Sequence, residues 1–374
     1  MDKIKNKIIT ISGEPRSGKS TVVTQLVRRY NELGYRVHVI ETGKLFREIS
    51  EAEYSKMYPE KTDIKQADIQ DDETFAKKRA EIDSAIDGMI AEKGREINSQ
   101  ERPSDVYIID SRLAWHNIPD SYAVRLTVAE KIAGQRAFKD KSKGSKDSYD
   151  TIEEATEKTK QRTLGEVRRY KQRYGVDLTD PKNYDLIVDT SYSDTLELAN
   201  IIIEGEKAYR EEKAYPKTWA SPLTFLTVQK GRETSSESIR GNTIESLAEV
   251  IKKEGYDPIK GTLDMAEEDG VKFLLEGNHR TMAALVAGKT LLPYDVIYKD
   301  NQWSKEAAEE VYSDETNERI YDWIEYIEYC GRKGQIEQLK GVTVKDLISA
   351  DKVFKIVQER KARKQGQTTD STSR

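Results

Sequence analysis

The stretch KIITISGEPRSGKSTVVTQLVRRYNELG, Lys7 to Gly34, limits the architecture of this chain more than any other. It opens on an apolar run, Lys7 to Ile11, that is short and unbroken rather than alternating, as in a strand covered on both faces. It closes on a helical pattern, Thr21 to Leu33. There Val22, Val23, Leu26, Val27, Tyr30 and Leu33 form one apolar stripe, and Gly34 stands where a C-terminal cap belongs. Between strand and helix, Gly13, Gly18, Lys19 and Ser20 fit the spacing G-x-x-x-x-G-K-[ST]. Glycines let backbone N–H groups wrap a polyphosphate while the following helix presents its positive end. Lys19 is expected to bridge the outer phosphates and the Ser20 hydroxyl to hold Mg²⁺. A plain glycine-rich turn is the alternative, and the strand before it and amphipathic helix after it favour the P-loop.

Four further apolar runs follow: Arg36 to Ile40, Val106 to Asp110, Ala123 to Val128 and Tyr184 to Thr190. All read as buried strands, and the alternation with helical patterns predicts a doubly wound α/β domain. Asp110, closing YIID, suits an acceptor for Mg²⁺-bound water, the alternative being a capping carboxylate at a strand end. At 374 residues the chain predicts two domains and a helical appendage. Its formal net charge of −5 disfavours a dedicated nucleic-acid coat without excluding a local basic groove. One cysteine, Cys330, and three scattered histidines rule out an intrachain disulfide and disfavour Cys- or His-built metal sites. The basic N-terminus leads into a strand rather than a signal peptide, and no segment is long enough to span a membrane, so the expected location is the cytoplasm.

The predicted organisation is a first domain over 1–203 with a polar insert at about 138–170, a linker at 204–222, a smaller domain at 223–300, helices over 301–364 and a disordered tail at 365–374. The insert reads as a solvated loop and helix, and it also lies where a mobile lid would lie. In the smaller domain the expected order is strand (LTFLTV), helix (TIESLAEVIKKEG), strand (VKFLLEG), helix (HRTMAALVAG) and strand (LPYDVIY).

VIETGKLFREIS, YIIDSRLAWHNIPDSYAVRLTVAEKIAGQRAFKD and TLGEVRRYKQRYGVDLTDPKNYDLIVDTS, taken with the P-loop, resemble the cytidylate kinases, over about residues 7–203 in order. The resemblance implies ATP and Mg²⁺ as cofactors, with Gly13, Arg16, Ser17, Gly18, Lys19, Ser20, Thr21 and Arg136 binding the donor and Ser20 and Asp110 the metal. It implies that Thr42, Gly43 and Arg47 contact the acceptor monophosphate, and that Asp110 and Arg112 hold the acceptor nucleotide. Arg136 would mark the entry to the lid. Arg162 and Arg169 would be lid arginines closing on the transferring phosphoryl group beside Lys19 and Asp110. Such positive charge suits a reaction that needs its equatorial oxygens neutralised and water excluded. The chain departs from the family at Ser111, where glycine is usual, at Glu14 and Arg16, where small residues are usual, and in the long segment Ser50 to Pro103. These departures leave the donor site intact and open the acceptor's identity beyond CMP.

A second element for phosphate is expected in FLLEGNHRTMAALVAG, where a strand runs into Glu276, Gly277, Asn278, His279 and Arg280 at a helix N-terminus. About eighty residues around it resemble the ParB/sulfiredoxin-like fold. The expected whole is therefore α/β: a P-loop doubly wound parallel sheet with a second, smaller α+β ParB/sulfiredoxin-like domain and C-terminal helices. Asn278 stands near where sulfiredoxins place a cysteine, which disfavours sulfinic acid reduction. The resemblance leaves open a kinase of small molecules such as free serine, with Glu233, Glu237 or Glu276 as base. It also leaves open a nucleotide-gated regulatory or DNA-associated protein, or a kinase acting on modified nucleotides in DNA. Lys19, Ser20, Asp110 and the lid arginines favour a Mg-ATP-dependent kinase acting on a nucleotide or small-molecule acceptor. A nucleic-acid partner is not favoured, and the oligomeric state is open. The aromatic series Tyr312, Tyr321, Trp323, Tyr326 and Tyr329 reads as helix packing rather than a base-stacking platform.

Overall fold

The computed structural model describes residues 6–61, 64, 69, 72–140, 149–227, 241–268 and 271–299. The chain divides into two compact units, Met1–Ser191 with Thr195–Tyr215, and Tyr192–Asp194 with Pro216–Arg374. The helices expected after 301, their aromatic series, Cys330, Glu233 and Glu237 lie outside the described residues.

In the first unit, β1 (Lys7–Gly13), β2 (Arg36–Glu41), β3 (Asp105–Asp110), β4 (Tyr122–Thr127) and β5 (Leu186–Asp189) form a parallel sheet in the order β2-β3-β1-β4-β5. The continuous apolar runs of β1, β3 and β4 are buried, with Ile9, Ile11, Ile108, Ile109, Val124 and Leu126 fully enclosed. β2 differs from the expectation of a buried strand. It is the sheet's edge, and Val39 is 41% exposed. A continuous apolar run therefore did not distinguish a central strand from an edge strand.

Helix α1 (Lys19–Glu32) buries Val22, Val23, Leu26 and Tyr30, while Leu33 at its C-cap is 53% exposed instead of completing the stripe. Gly34 adopts φ 84°, the left-handed conformation that ends a helix at low cost. Helices α2 (Thr42–Met57) and α3 (Ala76–Asn98) fill the segment between β2 and β3. Ile82, Ile86, Ile90 and Ile97 recur at helical spacing and join Tyr54, Phe75, Tyr107 and Ile109 in one buried cluster. A short helix, α4 (Ala114–Asn117), follows β3; α5 (Glu130–Lys139) and α6 (Ile152–Tyr174) lie between β4 and β5; α7 (Thr195–Arg210) ends the unit. Among the described residues no helix is long and apolar enough to cross a membrane.

The second unit is a mixed sheet in the order β6-β10-β8-β9-β7, made of β6 (Thr218–Ala220), β7 (Phe225–Thr227), β8 (Leu263–Glu268), β9 (Val271–Glu276) and β10 (Leu292–Lys299). β10 runs parallel to β8 and antiparallel to β6, while β9 runs antiparallel to β8 and parallel to β7. Helices α8 (Gly241–Glu254) and α9 (Asn278–Val286) share its apolar core, where Leu263, Met265, Leu274, Met282 and Leu285 are buried. Two strands were not expected. β6 lies inside the segment read as linker, anchored by buried Trp219, and β8 is hidden by the acidic composition of LDMAEE.

Candidate phosphate-transfer site

Parallel pairing brings the carboxyl ends of three strands level, with Ile11 of β1 and Glu41 of β2 both opposite Asp110 of β3. This is where open α/β sheets bind ligands. The loop from Gly13 to Gly18 crosses that end. An ideal Cβ on Gly13 would stand 2.9 Å from the Leu126 carbonyl oxygen, so only glycine lets the loop pass β4 so closely. Gly18 turns with φ 81° into α1, and Arg16 is also left-handed, at φ 65°. Arg16 is held by an ion pair of 2.5 Å from its Nη1 to Asp140.

The loop's carbonyls are tied to the protein. Thr190 Oγ1 donates to the Ser17 carbonyl at 2.9 Å, and Arg136 Nη1 donates to the Arg16 carbonyl at 3.0 Å. Arg136 Nη2 also donates to the Thr190 carbonyl at 2.6 Å. Arg136 thus buttresses the loop from behind. Tying back the carbonyls leaves the first-turn amides of α1, which have no intrahelical acceptor, at the helix's positive end. Ser17 is buried, whereas Ser20 and Thr21 are exposed at the start of α1.

Lys19 Nζ donates to the Gly13 carbonyl at 3.4 Å. Burial pulls its pKa down to about 8; Arg112 and Arg162 add to the fall, and Asp110 and Glu166 oppose it. Burial likewise raises the Asp110 carboxyl above the usual range, against the pull of Lys19, Arg112 and Arg47, with Glu41 pushing the same way as burial. These couplings place Lys19, Asp110, Arg112 and Arg162 in one electrostatic neighbourhood.

At the acceptor side, Thr42 Oγ1 donates to the Asp110 carbonyl at 3.1 Å, which fixes the start of α2 beside β3. Gly43 lies within reach of Arg47, whose Nη1 would be 3.5 Å from an added Cβ, and Arg47 is exposed. Across from them, α6 contributes Glu166, whose two oxygens lie 2.7 Å from Arg112 Nη1 and 3.3 Å from Arg162 Nε. Arg169, one turn further along α6, lies with its guanidinium carbon 5.2 Å from the Tyr170 ring centroid. It also pulls on the half-buried carboxyl of Asp83 in α3.

The helix spans Ile152–Tyr174, beyond the 138–170 expected, and is capped by Thr151, whose hydroxyl accepts from the Glu154 amide at 3.1 Å. Its far end is tied to α3 by Arg173 Nη1 to Asp83 at 3.0 Å and the Tyr174 hydroxyl to Asp87 at 2.7 Å. A narrow cleft, open to solvent, lies between α6 and the phosphate loop, lined by Gly13, Glu14, Arg112, Arg125, Glu166 and Leu178 among others.

The Ser20 hydroxyl and the Asp110 carboxylate are hard oxygen donors of the kind Mg²⁺ accepts, and few protein ligands are what that ion takes beside phosphates. They fit the implied metal.

Four residues that sequence reasoning did not assign complete the site. Glu166 was legible as the carboxylate four residues after Arg162 and three before Arg169, one face of one helix. Arg125, a charge inside the buried strand AVRLTV, was a second signal: its Nη2 donates to Glu14 Oε1 at 3.1 Å, and it bonds the Tyr184 hydroxyl at 3.4 Å and the Leu178 carbonyl. Glu14, noted only as a departure, also accepts from the Val128 amide at 3.0 Å, and burial raises its carboxyl above the usual range. No short-range pattern marks Thr190.

In the second unit, β9 ends at exposed Glu276, Gly277 turns with φ 103°, and α9 begins at Asn278, which is buried. Arg280 Nη1 donates to the carbonyls of Lys260 at 3.0 Å and Thr262 at 3.4 Å, so its guanidinium holds the loop before β8. His279 lies half-buried beside it.

The model of the cytidylate kinase-like family matches residues 8–192. The chain is 30% identical over 203 residues to the cytidylate kinase of Methanothrix thermoacetophila, a match covering 54% of this chain and 99% of that one. It is 29% identical over 198 residues to the cytidylate kinase of Methanocella arvoryzae, covering 53% and 95%. It is also 31% identical over 211 residues to an S-adenosylmethionine-dependent nucleotide dehydratase of Lacinutrix mariniflava, covering 56% of this chain but only 37% of that relative.

Proposed function

The chain belongs to the cytidylate kinase-like family, and on that premise we propose that its first unit is a Mg-ATP-dependent phosphotransferase whose acceptor is a nucleoside monophosphate or a closely related phosphorylated small molecule. The observation that carries this is the convergence of Lys19 from the phosphate loop, Asp110 and Arg112 from the end of β3, and Arg162 from α6. A binding module has no need of cations from three separate elements around one carboxylate, whereas phosphoryl transfer needs them around the moving group. The family generally uses ATP and Mg²⁺. Mg²⁺, when bound, neutralises charge between the outer phosphates of ATP, and Ser20 and Asp110 are the residues that would hold it.

An oxygen of the acceptor's phosphate forms a bond to the γ-phosphorus of ATP as the bond from that phosphorus to the β–γ bridging oxygen breaks. The products are ADP and the acceptor diphosphate, and no net proton is released. Lys19 and the first-turn amides of α1 hold the donor phosphates. Arg112 and Arg47 orient the acceptor phosphate, Arg162 and Arg169 balance charge on the equatorial oxygens, and α6 excludes water. Kinship with a nucleotide dehydratase supports a nucleotide as the acceptor.

For the second unit we propose a ParB/sulfiredoxin-like module that binds a phosphate or nucleotide at Gly277 to Arg280, supported by the left-handed glycine between a strand and a helix N-terminus. The test is ADP release from Mg-ATP with CMP, dCMP, UMP, AMP and free serine in parallel. Turnover with a monophosphate and none with serine supports the proposal. Turnover with serine alone refutes it.

A further inference from the structure

Two of the arginines that a phosphate would need are already paired with a carboxylate of the protein. Glu166 Oε2 lies 2.7 Å from Arg112 Nη1, and Glu166 Oε1 lies 3.3 Å from Arg162 Nε. The pair is well shielded, with Glu166 15% and Arg112 18% exposed, whereas Arg162 is 56% exposed. Glu166 also acts on Lys19 across the site, as Arg112 and Arg162 do. One carboxylate thus sits among three cations, on the wall of the cleft that also exposes Gly13 and Glu14.

The contact with Arg112 has an unusual quality. Nη1 of Arg112 is buried and close to Glu166, yet it has no acceptor in hydrogen-bond alignment. The ion pair therefore provides Coulombic compensation without the directed N–H···O bonds that make arginine–oxyanion pairs strong. A tetrahedral phosphate, with oxygens in several directions, can satisfy that donor where the planar carboxylate does not.

We propose that Glu166 is an internal stand-in for the acceptor phosphate, a carboxylate that holds Arg112 and Arg162 in place in the empty site and must be displaced by the incoming phosphate. This rests on the phosphotransferase function proposed above and adds a selectivity device to it. A neutral nucleoside or a water molecule offers no charge to replace Glu166, so the arginines stay paired and transfer to water is suppressed. A phosphate dianion outcompetes the single carboxylate charge and releases α6 from Arg112. The exchange keeps the shielded Arg112 from standing unpaired at any stage, which would be costly.

The probe is inorganic phosphate, titrated by calorimetry into the full chain, alongside acceptor-free ATP hydrolysis. Glu166→Gln keeps the shape and removes the charge. Glu166→Asp keeps the charge and shortens the reach to two arginines. The expected result is phosphate binding about tenfold tighter in Glu166→Gln, a smaller gain in Glu166→Asp, and faster acceptor-free ATP hydrolysis in Glu166→Gln. Unchanged or weaker phosphate binding in both variants would overturn the proposal, since the carboxylate would then be supporting the bound anion rather than competing with it. The two proposals fail separately. Wild-type protein that turns over no monophosphate, with tighter phosphate binding in Glu166→Gln, refutes the kinase and leaves the stand-in. Wild-type turnover with unaltered phosphate binding in the variants does the reverse.

Discussion

Arg125 Nη2 donates to Glu14 Oε1 across 3.1 Å, joining a cation buried in β4 to the residue that follows Gly13 in the phosphate loop. With Arg125 only 8% exposed, its guanidinium depends on that carboxylate. Removing one partner of a buried pair typically costs about 3–5 kcal/mol because it leaves the other charge unpaired. Glu14→Leu is expected to cost about 3 kcal/mol, at the lower end because Glu14 is 22% exposed. The double variant Glu14→Leu/Arg125→Met should lose much less than the sum of the singles. Urea unfolding of all three gives the coupling directly, and additive losses would mean that the pair is not a unit.

The pKa of Lys19, brought to about 8 mainly by burial, sets a pH limit on the donor site. Below that pH the ammonium is charged and able to meet phosphate; above it the free protein carries a neutral amine. Because kcat/KM reports the unliganded protein, kcat/KM for ATP should fall about tenfold per pH unit above pH 8. The limb in kcat should lie higher, since bound phosphate favours the charged amine. Lys19→Arg should abolish the limb in kcat/KM, and a limb that survives this change would assign it to another group.

Helices α5 and α6 meet where an ideal Cβ on Gly134 would stand 1.9 Å from Thr156 Oγ1 and 2.7 Å from Thr156 Cα. The second distance involves backbone, so a rotamer change cannot relieve it. Gly134→Val should cost about 1–3 kcal/mol by overpacking and push α6 away from the site. The acceptor's KM should rise more than that of ATP, because Glu166, Arg162 and Arg169 ride on α6. Thermal unfolding and steady-state kinetics test this, and an unchanged acceptor KM would contradict it.

Gly277 combines φ 103° with a contact of 2.3 Å between an added Cβ and Leu263 Cδ2. Gly277→Ala is expected to destabilise the second unit by about 1–3 kcal/mol through backbone strain, seen as faster amide exchange in β8, β9 and α9. Unaltered exchange there would show that the turn tolerates a side chain.

The sequence made the first unit legible because its chemistry is local. Gly13 to Ser20 needs a strand before it and a helix after it, and both were visible as apolar patterns. Asp110 was legible as the end of a strand. Its adjacency to Ile11 was not, since strand order is fixed by which helix faces can be buried together. The edge position of β2 was missed for the same reason. Glu166 was marked by its spacing between Arg162 and Arg169, but its pairing with Arg112 was not, because in a helix dense with charge nothing local shows which carboxylate faces another element. The helical isoleucines of α3 were readable by spacing but hidden within an acidic stretch. Three-residue β6 lies below the length at which alternation says anything, and the same limit concealed the anchoring of Trp219.

Phosphoryl transfer is assigned here to the site built from Lys19, Asp110, Arg112 and Arg162. The most direct measurement follows label from γ-phosphate-labelled ATP into a nucleoside monophosphate, with wild type, Lys19→Ala and Arg280→Ala side by side. The expected result is a labelled diphosphate from wild type and from Arg280→Ala, and a loss of at least about a hundredfold in Lys19→Ala. Transfer that persists in Lys19→Ala and vanishes in Arg280→Ala would contradict it and move the chemistry to the second unit.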